Sequence, residues 1–242
     1  GAGTLTRNTA GATTQGGSGA ITAAGVTLAG AGAYTLTNAG NDADTLTGTG
    51  TGAVSFTDLD SLSVGLLSSG GNNITLSVTG LLTLTDLLNA AAGDVTITAA
   101  GVSETGVGRI VSDNLSLAGI GTFGLGGANN VATFEAGVTG LLTYNDTNGF
   151  SVAGSGITTG GSAATLSTVA GGVAIGQPIN VGGADLTLDF AGGATQSAAI
   201  TAAGLRLIGG ATGAYTLTNA GNAVTTLAAN TGSAISVTDT NG

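Results

Sequence analysis

The stretch Gly32–Asn41, GAYTLTNAGN, decides the fold, because it recurs without change at Gly213–Asn222. A shorter stretch, ITAAG, also occurs twice, at Ile21–Gly25 and at Ile200–Gly204. Self-similarity at a long fixed interval is typical of repeat proteins, in which each unit buries its apolar face against the next. The chain therefore predicts a stacked architecture.

Three aspartates mark the period of the repeat. AVSFTD ends at Asp58, LLTYND at Asp146 and AISVTD at Asp239, at intervals of 88 and 93 residues. We expect one β-solenoid segment over 1–242, cut from a longer array. Its modules of about 90 residues are 1–58 (partial), 59–146, 147–239 and the start of the next, 240–242.

Short alternations of apolar residues with Thr or Ser recur along each module, as in Tyr34–Thr37, Val95–Thr98 and Leu186–Phe190. Alternation with a period of two predicts strands with one buried face, and the Gly, Asn and Asp between them predict turns. The best helical candidate is 81–92. Its copy in the next module contains several glycines and Pro178, which argues against a helix.

These strands favour an all-β, right-handed parallel β-helix, that is, a β-solenoid. A β-sandwich calls for larger core side chains and no 90-residue period. A membrane barrel needs aromatic girdles, which five Phe and three Tyr cannot supply. With coils of roughly 20–30 residues, each module holds three or four coils. The right hand rests on the usual crossover rule and on the resemblance described below.

Composition excludes several classes of function. The 242 residues include 47 Gly but no Cys, His, Met or Trp, and 13 acidic residues outweigh three basic ones to give a net charge of −10. The chain therefore has no disulfide, no Cys or His zinc site, no His-based triad and no basic patch for nucleic acid. No apolar run reaches the length of a membrane-spanning helix, roughly 18 residues or more, so we expect no membrane insertion.

The segment from Ile200 to Gly242 resembles the repeat region of large filamentous-haemagglutinin-like exoproteins, and the other copies share its pattern. Gram-negative bacteria secrete such proteins, typically by two-partner secretion. The resemblance implies an extracellular or cell-surface location and a structural or adhesive shaft without catalysis or cofactor. The implied partners are neighbouring repeats of the same chain and host or cell-surface ligands. A self-assembling extracellular filament, with end-to-end or lateral association, is the alternative, and calcium-binding and ice-binding solenoids are further ones.

Threonine pairs of the form TxT suggest an ice-binding face. On a strand both threonines point outward and the middle residue points to the core. The intervals between successive pairs, 31, 10, 38, 13 and 120 residues, are too irregular for a stacked face and favour ordinary solvated strands. The pairs are Thr4/Thr6, Thr35/Thr37, Thr45/Thr47, Thr83/Thr85, Thr96/Thr98 and Thr216/Thr218.

Calcium has one candidate site, the stretch from Asn38 to Gly52, which resembles a Gly/Asp nonapeptide of RTX repeats. Asn41, Asp42 and Asp44 are the candidate metal ligands, because carboxylate and carbonyl oxygens suit calcium. Only one imperfect copy is present, and the matching stretch after Asn219 lacks both aspartates.

The module-end aspartates, echoed by Asp86, follow alternating strands at corners. We expect them to accept hydrogen bonds from turn N–H groups. Paired-carboxylate glycoside hydrolysis is the alternative, but no acids, bases and aromatics cluster around them.

The Gly-rich runs Gly124–Gly127 and Gly192-Gly193 lack a P-loop Lys and are predicted to be turns. Tyr34 and Tyr215 share one repeat position, and Phe56 and Tyr144 share another, which predicts packing in ladders.

Overall fold

The computed structural model describes residues 3–209 and 212–240, and within them it contains strands and no helix. Every strand pairing with a described register is parallel. The predicted parallel β-solenoid is thus confirmed, and its right hand stays a prediction. The chain forms two compact units, Gly1–Ala118 and Gly119–Gly242. Their boundary lies inside the predicted module 59–146, so the sequence repeat and the compact unit do not coincide.

In the part of the first unit that the structure describes, the chain forms fifteen strands. They are β1 (Thr4–Asn8), β2 (Thr13–Thr14), β3 (Thr22–Ala23), β4 (Gly25–Ala29), β5 (Tyr34–Leu36), β6 (Asp42–Ala43), β7 (Thr45–Thr49), β8 (Val54–Asp58), β9 (Leu62–Ser68), β10 (Ile74–Val78), β11 (Leu82–Leu84), β12 (Leu87–Asn89), β13 (Val95–Ala99), β14 (Val102–Glu104) and β15 (Arg109–Gly119).

Two long ladders organise the first unit. One runs β1–β4–β7–β9 and continues through β11 to β14. The other runs β2–β5–β8–β10–β13. Strands β3 and β6 belong to neither ladder and pair with each other. The rejected helix 81–92 indeed contains no helix: the range holds β11 and β12 and ends in a turn.

Over its described residues, 119–209 and 212–240, the second unit contains twelve strands. They are β16 (Phe123–Val138), β17 (Leu142–Asp146), β18 (Ser151–Thr158), β19 (Ala164–Thr168), β20 (Val173–Ile175), β21 (Ile179–Asn180), β22 (Asp185–Phe190), β23 (Ala194–Gln196), β24 (Ile200–Gly209), β25 (Tyr215–Leu217), β26 (Ala223–Thr231) and β27 (Ile235–Val237).

The second unit repeats the two-ladder plan. One ladder begins at the first half of β16 and runs β17–β19–β22–β24–β26. The other begins at the second half of β16 and runs β18–β20–β23–β25–β27. The long strand β16 contributes to both ladders. A third set of pairings joins β18, β21 and β24.

The coils lie at the short end of the predicted range. Register partners on successive coils, such as Leu46↔Val64 and Ser151↔Ala174, are close together in the chain. Four coils carry the chain only from Tyr144 to Ala229. A module therefore holds slightly more than four coils.

The core consists of columns of apolar side chains in register. In the second ladder of the first unit, Leu36 stacks on Phe56, Phe56 on Leu76 and Leu76 on Ile97, and all four are 5% exposed or less. Burial of each such side chain stabilises the fold by about 1.5–3 kcal/mol. Alternation places the next residue along each strand on the outer surface.

The aromatic positions equated by sequence are buried as predicted, since Tyr34, Phe56, Tyr144 and Tyr215 are all 1% exposed or less. Tyr144 stacks on Phe134 with ring centroids 4.2 Å apart.

One turn prediction was wrong. Gly192 and Gly193 do lie at a turn, but Gly124–Gly127 lies inside β16. There the register with β17 shifts between Leu125 and Asn129, so these glycines form an irregularity within a paired strand.

Candidate functional site

Three buried asparagines join successive coils. The side chain of Asn41 is fully buried, and its Nδ2 donates to the carbonyl oxygen of Leu36 in its own coil and to that of Thr57 in the next coil, each at 3.1 Å. Its Oδ1 accepts the Ile21 N–H, from the preceding coil, at 2.9 Å. One amide group thereby bonds to the backbone of three consecutive coils.

The carboxylate of Asp58, which follows Asn41 by one coil, accepts two further backbone N–H groups. Its Oδ2 accepts the N–H of Ala43 at 3.0 Å, and its Oδ1 accepts the N–H of Asp60 at 3.2 Å. Burial raises the pKa of the Asp58 carboxyl above its ordinary value; the two backbone N–H donors act in the opposite direction, and the Asp60 charge adds to the rise. We call the pair Asn41 and Asp58 an Asn–Asp clamp.

The same clamp occurs at Asn129 and Asp146 in the second unit. Asn129 Nδ2 donates to the carbonyls of Leu125, at 3.3 Å, and Asn145, at 3.1 Å. Asp146 Oδ2 accepts the N–H of Val131 at 3.0 Å.

A third clamp joins Asn222 and Asp239. Asn222 Nδ2 donates to the carbonyls of Leu217 and Thr238, at 3.1 and 2.9 Å, and Asp239 Oδ1 accepts the N–H of Val224 at 3.0 Å. The asparagine precedes its aspartate by the same interval in all three clamps.

The first and third clamps share an extra partner. Gln15 and Gln196 lie 26 residues before Asn41 and Asn222, and each pairs its amide with that of the asparagine. The two copies of the repeated stretch therefore share the hydrogen bonds between asparagine and glutamine.

The two clamps of the second unit lie on different ladders. Asp146 ends β17, whereas Asp239 follows β27. Register partners carry Tyr144 to Ala229 in four coils, by way of Leu166, Leu188 and Leu207. The stretch from Asp146 to Asp239 is longer than these four coils and shorter than five. The second copy of the aspartate therefore arrives on the other ladder.

The corner role predicted for the module-end aspartates is confirmed, because all three accept backbone N–H groups. Asp86 accepts the N–H of its neighbour Leu87 at 2.7 Å, without a clamp. Asp58 and Asp146 are fully buried, an environment unlike the open, paired carboxylates of a glycosidase. The clamp asparagines were missed as structural residues, although their constant spacing from the aspartates is a signal that could have found them.

Of the three calcium candidates, Asn41 has its amide oxygen occupied by two donors, Ile21 N–H and Gln15 Nε2. Asp42 and Asp44 flank buried Ala43, with Asp42 half-buried and Asp44 exposed. Within 3–209 and 212–240, no group of three or more acidic side chains is arranged to hold a metal ion.

The TxT pairs point outward as predicted. The middle residue is buried in five of the six pairs, and the exception is Leu5, 41% exposed in β1. The irregular spacing of the pairs does not prevent stacking, however, because serines complete the rows. Thr35 is in register with Ser55, Ser55 with Thr75 and Thr75 with Thr96, so each coil adds one hydroxyl to the column.

A second hydroxyl column lies two residues further along the same strands, with Thr57 in register with Ser77 and Ser77 with Thr98. We call the two columns together the hydroxyl face. It consists of Thr35, Ser55, Thr57, Thr75, Ser77, Thr96 and Thr98.

A shallow groove of about 480 Å³ lies on the second unit, and Gly149, Gly172 and Gly193 are among the residues that line it. No charged side chain lines it. Among the described residues, no helix has the length and apolar character required to cross a membrane.

No protein-family model matches this chain, and no curated protein or solved structure matches it either.

Proposed function

We propose that this chain is a shaft segment of a large, secreted or surface-displayed bacterial protein, with a structural or adhesive role and no catalysis. The observation that carries the proposal is the Asn–Asp clamp, which occurs three times and uses a buried asparagine to join coil to coil. A buried amide with its hydrogen bonds satisfied rigidifies the backbone around it. The resemblance to filamentous-haemagglutinin-like repeats supports the extracellular location.

Repetition supports the same proposal. Parallel coils bury their apolar columns against one another, so adding coils extends the stack without a new core. Such a stack serves to hold other parts of a protein at a distance from a surface. The hydrogen bonds of the clamps oppose separation of one coil from the next.

The test is to insert a second copy of module 147–239 after Asp239 and to compare both proteins by electron microscopy. Slightly more than four coils at a spacing of about 4.8 Å predict an added length of roughly 20 Å. An inserted module that leaves particle length unchanged contradicts the shaft. The matched control inserts a flexible Gly/Ser linker of the same length, which adds no resolved length.

The same micrographs address the alternative function. Indefinite filaments from the original chain favour a self-assembling subunit over a shaft. Discrete particles at every concentration favour the shaft. Binding of the labelled original chain to cultured host cells is then compared with binding of the labelled flexible linker by itself. This comparison distinguishes adhesion by the segment from a purely structural role.

A further inference from the structure

We propose that the hydroxyl face binds the surface of ice. This inference is independent of the shaft proposal, since it concerns the outer surface of four strands in the first unit. β5, β8, β10 and β13 carry the face, and all seven of its residues are Thr or Ser.

The hydroxyl face has a regular spacing in two dimensions. Neighbouring strands lie about 4.8 Å apart, and outward residues two positions apart on one strand lie about 6.6 Å apart. Hydroxyl groups in register on these strands therefore form a near-rectangular net. Water oxygens on the prism faces of hexagonal ice also form a rectangular net with similar repeats, so several hydroxyls can meet one such face at once.

The hydroxyl face is polar but uncharged. None of its seven positions carries a charge, although the chain has a net charge of −10. A charged group holds its own hydration shell and opposes the water order of a crystal. Threonine offers one hydroxyl and one methyl group, and the methyl groups limit the positions that water can occupy between hydroxyls.

The hydroxyls of the face are available for hydrogen bonds to water. Among the described residues, the seven hydroxyls of the face make no hydrogen bond to the protein, unlike the Oγ1 of Thr27, which lies 3.2 Å from that of Thr47. Three of them, on Thr35, Thr75 and Thr98, belong to exposed residues, and the other four residues are half-buried.

The hydroxyl face is held rigid by the buried side chains beneath it. The column Leu36, Phe56, Leu76 and Ile97 lies directly beneath the face, between its two hydroxyl columns. These side chains are almost fully buried. The net contribution of a single hydrogen bond is small, so binding to a crystal depends on many hydroxyls held in register together.

The second unit supplies an internal comparison. On β17, β19 and β22, Thr143, Thr165 and Thr187 form one column of threonines in register. The neighbouring column reads Asn145, Ser167 and Asp189, and Arg206 follows Thr187 in the first column. This surface has the same strand geometry but lacks the uncharged double row.

The experiment measures thermal hysteresis and the uptake of fluorescently labelled chain into a slowly growing ice hemisphere. Thr75→Tyr places a bulky ring at the centre of the face, and Thr165→Tyr places the same ring at the matched centre of the second-unit column. We expect the original chain and Thr165→Tyr to enter the ice and to show hysteresis. We expect Thr75→Tyr to lose most of both.

Folding is checked by circular dichroism and thermal unfolding of each variant. Should Thr75→Tyr fail to fold, Ser77→Lys tests the second column with a charge on a long, flexible side chain and is expected to cause the same loss. Exclusion of the original chain from ice overturns the proposal. So does an equal loss in Thr75→Tyr and Thr165→Tyr, because the ligand would then not recognise this face.

Discussion

Replacing Asn41 by Ala tests the clamp that joins three coils. The substitution removes the side-chain partner of three backbone groups, the Ile21 N–H and the carbonyls of Leu36 and Thr57. Each buried group left without a partner costs about 1–3 kcal/mol. Asn41 is fully buried, so water replaces little of this. We therefore expect a loss of about 3–5 kcal/mol.

The matched control for this change is Asn38→Ala. Asn38 also makes two side-chain bonds, donating to the Gly17 carbonyl and accepting the Gly40 N–H, both at 2.8 Å. It is only half-buried, so water can replace these partners and the expected loss is below about 1 kcal/mol.

Urea unfolding measures the difference between the two variants, and amide hydrogen exchange locates it. In Asn41→Ala the Ile21 amide should exchange much faster than in the original chain, because its acceptor is gone. If Asn41→Ala is no less stable than Asn38→Ala, the clamp does not hold the coils together and the reasoning is refuted.

Asn41→Asp adds a test of sign. An ionised carboxylate keeps an acceptor for Ile21 but faces the carbonyl oxygens of Leu36 and Thr57, so it should destabilise strongly near neutral pH. Protonation restores a donor. The variant should therefore recover stability on acidification, and Asn41→Ala should not.

Three further changes test other parts of the fold. Gly140→Ala should destabilise by about 1–3 kcal/mol, because a Cβ there would collide with the carbonyl oxygen of Gly121. Gly126→Ala should be neutral in the same melting assay, because a Cβ added at Gly126 meets no atom of another part of the chain within 4 Å. Tyr215→Phe should cost about 1 kcal/mol, since the hydroxyl accepts a backbone N–H at 2.9 Å; burial raises the pKa of Tyr215 to about 12, so ultraviolet titration of the variant should lose one tyrosine that ionises in that range. Asp58 has a raised pKa in the folded chain, so its contribution to stability is fully present below its unfolded pKa of about 3.9 and is lost as pH rises through the folded value; urea midpoints across the acidic range should show this dependence in the original chain and its absence in Asp58→Asn.

Local pattern determined much of this protein. The alternation in Tyr34–Thr37 and Val95–Thr98 was enough to predict strands, their buried face and their outward threonines. The repeat of GAYTLTNAGN was enough to predict stacking, and the corner position of Asp58 its hydrogen bonding to backbone N–H groups. All of these depend on residues close together in the chain, so the sequence displays them directly.

The tertiary structure decided which residues become neighbours across coils. Turn lengths vary, so register partners lie at unequal intervals, closer in the chain for Leu46↔Val64 than for Leu205↔Leu227. The hydroxyl face escaped the search for TxT pairs because Ser55 and Ser77 stand in its rows in place of threonine. The role of Asn41 was hidden likewise, since its partners Ile21 and Thr57 lie on the preceding and following coils. A strand pattern specifies which way a side chain points, but the path of the turns specifies what it meets.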